Sequence, residues 1–218
     1  MKALIKIILT FFLFFLTLFF IIHSLDLLNF EQVESLLKEN AQKDQNILFL
    51  LVIILLILDF FISIPTLPLS ILSGYLLGFP LAFTCVSIGL MSSGLVGYFL
   101  GTFFGEKILS IILKKSEEKQ QLKESYAHYG VSIMLFSRAI PMLPEVSSAL
   151  AGVNNLKFKK FFFVWLLNCL PYACLTTYMG SISTIESPEP SFILIIGFYL
   201  LLWFTGYLIF TRRKYANN

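Results

Sequence analysis

The chain has 218 residues, of which 57% are hydrophobic, 16% aromatic and only 13% charged. Soluble domains carry roughly a quarter charged residues, so this composition indicates an integral membrane protein and excludes a soluble globular one. The net charge of +3 is too small for a nucleic-acid-binding protein, and the basic residues lie in short clusters between apolar segments.

The cysteines and histidines argue against a metalloenzyme. Cys85, Cys169 and Cys174 all lie in apolar segments, and an odd number of cysteines there does not suit a disulfide framework. His23 and His128 are far apart and share no metal-ligand spacing with a cysteine. We therefore expect no metal and no cofactor, and the sequence supports no enzyme activity.

The N-terminal segment predicts a first membrane span. Lys2 and Lys6 precede a long apolar run that ends near Ile22. A secretory signal peptide is the alternative, but the run is long for such a peptide and no small-x-small cleavage site follows it. We interpret residues 1–46 as a transmembrane anchor followed by an external acidic segment.

The distribution of charge predicts how the chain crosses the membrane. The N-terminus, the lysine-rich block 105–130 and the basic tail 211–218 are expected in the cytoplasm, and blocks 23–46 and 183–190 outside. Residues 47–104 must then cross an odd number of times, but they are too few for three spans of about 20 residues each with turns. One crossing plus one re-entrant excursion fits this segment better.

A repeated proline motif gives the place of that excursion. The pentapeptide IPTLP at 64–68 returns as IPMLP at 140–144, and paired prolines break a helix. Because the second copy has basic flanks on both sides, hairpins near 59–78 and 131–155 are expected to enter from opposite faces, as an inverted repeat. Chance is the alternative, and the agreement with the charges favours the repeat. The predicted loop-tip residues are Pro65, Pro68, Pro141 and Pro144.

The sequence therefore predicts an all-α integral membrane protein with about four transmembrane helices plus two facing re-entrant helical hairpins. Crossings are expected at 81–104, 161–182 and 192–210, in addition to the N-terminal one. The core is expected over 47–182, and a C-terminal helix with a basic cytoplasmic tail over 183–218. Three glycines are expected to allow close helix packing, namely Gly74, Gly78 and Gly152.

Arg138 is the main candidate for a binding residue. It is the only arginine before the tail, and a buried arginine in a bilayer costs at least a few kcal/mol unless it is paired or hydrated. Snorkelling to the cytoplasmic interface is the structural alternative. A position beside two half-helix N-termini favours a phosphate site, because free backbone N–H groups and a guanidinium both bind phosphate. The serines expected to add hydroxyl donors are Ser70, Ser147 and Ser148.

Two acids are candidates for a proton-titrating group or for the charge partner of Arg138. Asp59 lies in an apolar segment with no base nearby in sequence, and its structural alternative is an acid that stays protonated. Glu145 follows Pro144, so it would lie in the first turn of a returning helix. The helix dipole favours an acid there, and helix capping explains Glu145 as well as a functional role does.

The sequence around Arg138 resembles the DedA superfamily, also called the SNARE-associated or VTT-domain family. The run FSRAIPMLPEVSSALAGVNNLKFKKFFFVWLLNCLPYACLTTYMG carries the family's arginine-proline loop, Ala-Gly pair, basic-aromatic helix start, mid-helix proline and closing glycine. Upstream, PTLPLSILSGYLLGFPLAF is similar to the family's first re-entrant segment, and the similarity covers about residues 55–182. The matching residues are Phe136, Arg138, Pro141, Ala151, Gly152, Phe158, Phe161, Pro171 and Gly180.

The departures from the family pattern are specific. Ser70 stands where bacterial DedA members have an acid, and Pro144 stands where they often have a second arginine. The chain therefore looks more like the TVP38-type branch, while Asp59 matches the acid before the first loop. The resemblance implies two facing re-entrant loops, lipid movement between leaflets and a dependence on the proton gradient.

Three functions compete at this point. The first is a lipid translocator, a flippase or scramblase of phospholipid or polyprenyl phosphate that supports membrane homeostasis, with Arg138 at the headgroup. The alternative is a proton-coupled transporter of a small solute or ion that uses Asp59 and Glu145. The third is a membrane scaffold in which the charges only pair. Expected partners are membrane lipids and protons, with a homo-oligomer left open, in the bacterial cytoplasmic (inner) membrane with both termini in the cytoplasm.

Overall fold

A computed structural model describes residues 2–24, 30–62, 64–113, 115–140, 142–183, 196–197 and 200. The predicted C-terminal span and basic tail fall outside these ranges, apart from residues 196, 197 and 200. All regular elements within the ranges are helices, which confirms the predicted all-α class. In chain order they are α1 (Lys2–Ser24), α2 (Phe30–Lys43), α3 (Gln45–Ile62), α4 (Thr66–Leu77), α5 (Phe79–Ile112), α6 (Ser116–Phe136), a 3-10 turn (Ser137–Ala139), α7 (Leu143–Val153) and α8 (Phe158–Ile182).

Three of the described helices, α3, α5 and α8, are long and apolar enough to cross a membrane. The chain is thus an integral membrane protein, as its composition predicts. By contrast, α4 and α7 have 12 and 11 residues. At about 1.5 Å per residue they reach little more than half of a hydrocarbon core about 30 Å thick. The helix α5 is longer than the predicted crossing at 81–104, with 34 residues from Phe79 to Ile112.

Each short helix packs against a long helix from the other half of the chain. In one such contact, a Cβ atom at Gly74 of α4 would overlap the carbonyl of Thr177 in α8. In the same interface, a Cβ at Gly180 of α8 would overlap the carbonyl of Ile71 in α4. Glycine on both helices therefore lets α4 and α8 approach backbone to backbone.

The helices α7 and α5 make the matching contact in the other half. A Cβ atom at Gly152 of α7 would overlap the carbonyl of Tyr98 in α5, and one at Gly101 would overlap the carbonyl of Ala149. The predicted packing roles of Gly74 and Gly152 agree with these contacts. Gly78 differs, since a Cβ there would meet nothing within 4 Å, and its φ of +74° makes it the turn between α4 and α5.

The first two helices lie at the edge of this core. Ile7 of α1 is fully buried, and the Lys6 ammonium lies 3.4 Å from a carboxylate oxygen of Glu118 in α6. α2 is amphipathic and buries Leu37 against the core, where it contacts α3 and α4. The acidic segment that was predicted from the sequence to be external therefore includes a helix that covers α3 and α4.

The glycine contacts give a stability prediction. We expect Gly152→Ala to lower the free energy of unfolding by about 1–3 kcal/mol, because the added methyl group meets backbone that cannot move aside. Gly197→Ala is the matched control, since a Cβ there would meet nothing within 4 Å. The measurement is thermal melting in detergent. Equal melting of the two variants would contradict the close packing of α5 and α7.

Candidate functional site

Two interruptions of the helices line one cavity of about 220 Å³. The first break lies between α3 and α4 and contains Pro65, and the second break lies between the 3-10 turn and α7 and contains residues 140–142. The two proline motifs, which are far apart in sequence, therefore meet in space. Pro141 lies outside the described residues. The cavity is lined by Pro65, Thr66, Leu67, Pro68, Arg138, Ile140, Met142, Pro144, Glu145 and Tyr172.

Short helices begin at both breaks. Pro65 immediately precedes α4, and Pro68 and Pro144 lie in the first turns of α4 and α7. Proline is tolerated in a first turn because its missing N–H would have no intrahelical acceptor there. Met142, at the second break, has φ +64°, a left-handed conformation that a residue other than glycine rarely adopts. The N-terminal ends of α4 and α7 therefore both border the cavity.

Arg138 is held by one face of α8. Its side chain belongs to the 3-10 turn and is only 8% exposed, so it is buried within the protein. Its Nε donates to Oδ1 of Asn168 at 3.3 Å, and its Nη2 lies 3.7 Å from Sγ of Cys169. The guanidinium carbon lies 4.8 Å from the ring centroid of Tyr172 and 6.0 Å from that of Trp165. Cation–π contacts and one amide thus hold the charge.

The same guanidinium has hydrogen-bonding capacity left over. An arginine has five N–H donors, and Asn168 and Cys169 engage two of them. The described residues contain no carboxylate in an ion pair with Arg138, since the ion pairs among them join lysines to glutamates elsewhere. A buried cation with open donors at the wall of a cavity is suited to bind an anion, and the planar fork of arginine matches phosphate oxygens in pairs.

Asp59 and Glu145 meet each other instead of pairing with Arg138. Asp59 is buried in α3, Glu145 lies in the first turn of α7, and their carboxyl groups lie close enough to interact electrostatically. Two carboxyl groups held close together away from water resist ionising together, so such a pair is suited to share one proton. Oε2 of Glu145 is buried and has no hydrogen-bond partner among the described residues. Within the described ranges, no cluster of acids, histidines and cysteines could hold a metal ion.

The hydroxyl groups of the three predicted serine donors form hydrogen bonds within their own helices. Oγ of Ser70 donates to the carbonyl of Thr66 at 2.7 Å, and Oγ of Ser147 donates to the carbonyl of Pro144 at 2.9 Å. Ser148 donates in the same way to the carbonyl of residue 145. All three are fully buried, and none lines the cavity. Their expected role as headgroup donors stays a prediction.

The residues of α8 that hold Arg138 were not predicted from the sequence. Asn168 and Tyr172 stand four residues apart, with Trp165 one turn before and Cys169 beside them, so the helical period places them on one face. A buried asparagine inside an apolar span is the signal that was available. Sequence alone could not assign it to Arg138, because the two residues are joined only by the packing of α8 against the end of α6.

Comparison with known families matches residues 64–182 to the VTT domain, which is more than half of the chain. The matched segment contains both breaks, Arg138 and the α8 face that holds it. Comparison with curated proteins and with solved structures gives no match. The VTT-domain family, which is the DedA or SNARE-associated family, is membrane-transporter-like and associated with membrane transport or lipid flipping. This chain belongs to the VTT-domain family.

Proposed function

We propose that this protein is a lipid translocator that binds the phosphate of a lipid headgroup at Arg138 while the lipid passes between leaflets. The observation that carries the proposal is the buried Arg138 guanidinium, with unengaged donors at the wall of the cavity between the two breaks. Phospholipids and polyprenyl phosphate share the phosphate that an arginine fork recognises. The family's association with membrane transport or lipid flipping supports the same function.

The two halves of the core support an inverted repeat with re-entrant hairpins. Each half contains a helix, a proline break, a short helix and a long helix, and each short helix packs against the long helix of the other half. Because α4 and α7 are too short to span a bilayer, they are the returning limbs of hairpins whose tips meet near the midplane. Lysines at 115, 119 and 123 and at 157, 159 and 160 support entry of the second hairpin from the cytoplasmic side.

The cavity gives a route in which only the headgroup enters the protein. Ile140 at its wall is 47% exposed, so the cavity lies beside a lipid-facing surface and acyl chains can stay in the bilayer. Inside, the N-terminal ends of α4 and α7 add their positive helix dipoles to the charge of Arg138. We place the protein in the bacterial cytoplasmic membrane with both termini in the cytoplasm. Ser70 and Pro144 favour the TVP38-type branch.

The Arg138 role is tested by substitution. We expect Arg138→Ala to slow translocation of headgroup-labelled lipid in liposomes by at least about tenfold, since hydrogen bonds to a charged group contribute roughly 1.5–3 kcal/mol. Arg138→Lys should keep part of the rate, because it retains the charge without the fork. Lys123→Ala, which removes an exposed cation that does not line the cavity, is the matched control.

A structural role for Arg138 predicts a different outcome. If the guanidinium only offsets Glu145, then Arg138→Ala would leave a buried acid without compensation and destabilise the protein. Adding Glu145→Gln would then restore both the melting temperature and the rate of translocation. Such a rescue would contradict the headgroup role.

The adjacent acids Asp59 and Glu145 are suited to share one proton, which favours proton coupling as a second candidate function. The pair joins α3 of the first half to α7 of the second, so gain or loss of the proton changes the contact between the halves. Asp59→Asn is expected to abolish any dependence of transport on an imposed pH gradient, and Asp59→Glu to retain it. The measurement is transport into liposomes with and without the gradient. Wild-type gradient dependence in Asp59→Asn would exclude this candidate.

A further inference from the structure

We propose that Asn168 is a positioning residue that sets the orientation of the Arg138 guanidinium in the cavity by tying it to the end of α6. This inference rests on the proposed headgroup role of Arg138. Asn168 is buried, with 6% of its surface exposed, and does not itself line the cavity. It therefore acts on a ligand only through Arg138.

The amide nitrogen of Asn168 closes the end of α6. Nδ2 donates to the carbonyl oxygens of Met134 and Leu135, both at 2.9 Å. These residues lie in the last turn of α6, and the carbonyl of Met134 also accepts from the backbone N–H and the Oγ of Ser137. Because both amide hydrogens have acceptors there, α8 is attached to the backbone directly before the 3-10 turn.

The amide oxygen of Asn168 faces the other way, toward Arg138. Oδ1 accepts a hydrogen bond from Nε at 3.3 Å. In the reversed amide orientation, Oδ1 would face the carbonyl oxygens of Met134 and Leu135 and the NH2 group would face an N–H donor. The surrounding groups therefore fix the amide in one orientation. One side chain thus connects the backbone before the second break to the guanidinium that borders it.

This connection has a geometric consequence for the binding of an anion. Nε lies on the inner edge of the planar guanidinium, and the ring of Tyr172 packs against its face. With one edge and one face fixed, the plane has a single orientation, and the remaining N–H donors of Nη1 and Nη2 form its outer edge. Asn168 and Tyr172 come from the same face of α8, so Arg138 is held as a preorganised donor instead of a flexible one.

The competing explanation is that Asn168 only caps α6. The chain offers a matched residue for this comparison, because Nδ2 of Asn154 donates to the carbonyl of Leu150 at the end of α7 at 2.8 Å. Asn154 has no contact with Arg138 and does not line the cavity. Asn154→Leu therefore removes an asparagine cap without removing a contact of Arg138, and it is the control for the loss of a cap alone.

A double-mutant cycle separates the two roles. Asn168→Leu is made in the wild-type protein and in the Arg138→Lys variant, whose side chain has no Nε–H to give to Oδ1. The initial rate of translocation of headgroup-labelled phospholipid is measured in liposomes, together with melting in detergent. We expect Asn168→Leu to lower the rate about tenfold in the wild type and less than about twofold in the lysine variant. Asn154→Leu is expected to lower the melting temperature and to change the rate by less than about twofold.

If Asn168→Leu lowers the translocation rate by the same factor in the wild-type protein and in the Arg138→Lys variant, the positioning role is overturned and Asn168 is only a cap. If Asn168→Leu does not accumulate, Asn168→Ser replaces it in the same cycle, because a serine hydroxyl cannot reach both partners. A wild-type protein that moves no lipid would overturn the proposed function and this inference together. An active wild type with equal factors would overturn this inference alone.

Discussion

The Arg138 guanidinium is buried between two interrupted helices, and the rest of the site depends on the stabilisation of this buried charge. Placing that charge inside a bilayer protein costs at least a few kcal/mol, and no carboxylate of the described residues forms an ion pair with Arg138 to offset it. The stabilisation comes instead from the Asn168 amide and the Tyr172 ring, which leave part of the guanidinium unengaged. That unengaged part is what a phosphate would bind.

To hold such a charge in place, the helices around it must pack rigidly against one another. The glycine contacts supply this packing, because α4 against α8 and α7 against α5 are joined backbone to backbone rather than through flexible side chains. Each contact fixes a short helix whose first turn borders the cavity. The position of both breaks thus follows from two interfaces that lie away from the cavity. The acids Asp59 of α3 and Glu145 of α7 lie next to each other near this site, one from each half of the core.

Much of this arrangement was predictable from the sequence. Composition gave the membrane class, the proline repeat gave the two breaks, and the isolated Arg138 gave the candidate site, because each is a strong local signal. Asn168 and Tyr172 were not predicted, since their partners come from another helix and only tertiary packing joins them. Ser70 was proposed as a donor on position alone, although a helical serine often donates to the carbonyl one turn earlier. Gly78 was assigned to packing, although its backbone conformation explains it better.

The central claim is that the two breaks approach the cavity from opposite faces of the membrane. The direct measurement is labelling of single cysteines in intact cells with a membrane-impermeant thiol reagent. The background carries Cys174→Ala, because Cys85 and Cys169 are buried and Cys174 is exposed. A cysteine at Glu39 in α2 is expected to react from outside, and one at Lys159 at the start of α8 only after the cells are opened. Reaction of the Lys159 cysteine from outside would contradict the inverted repeat and the facing hairpins.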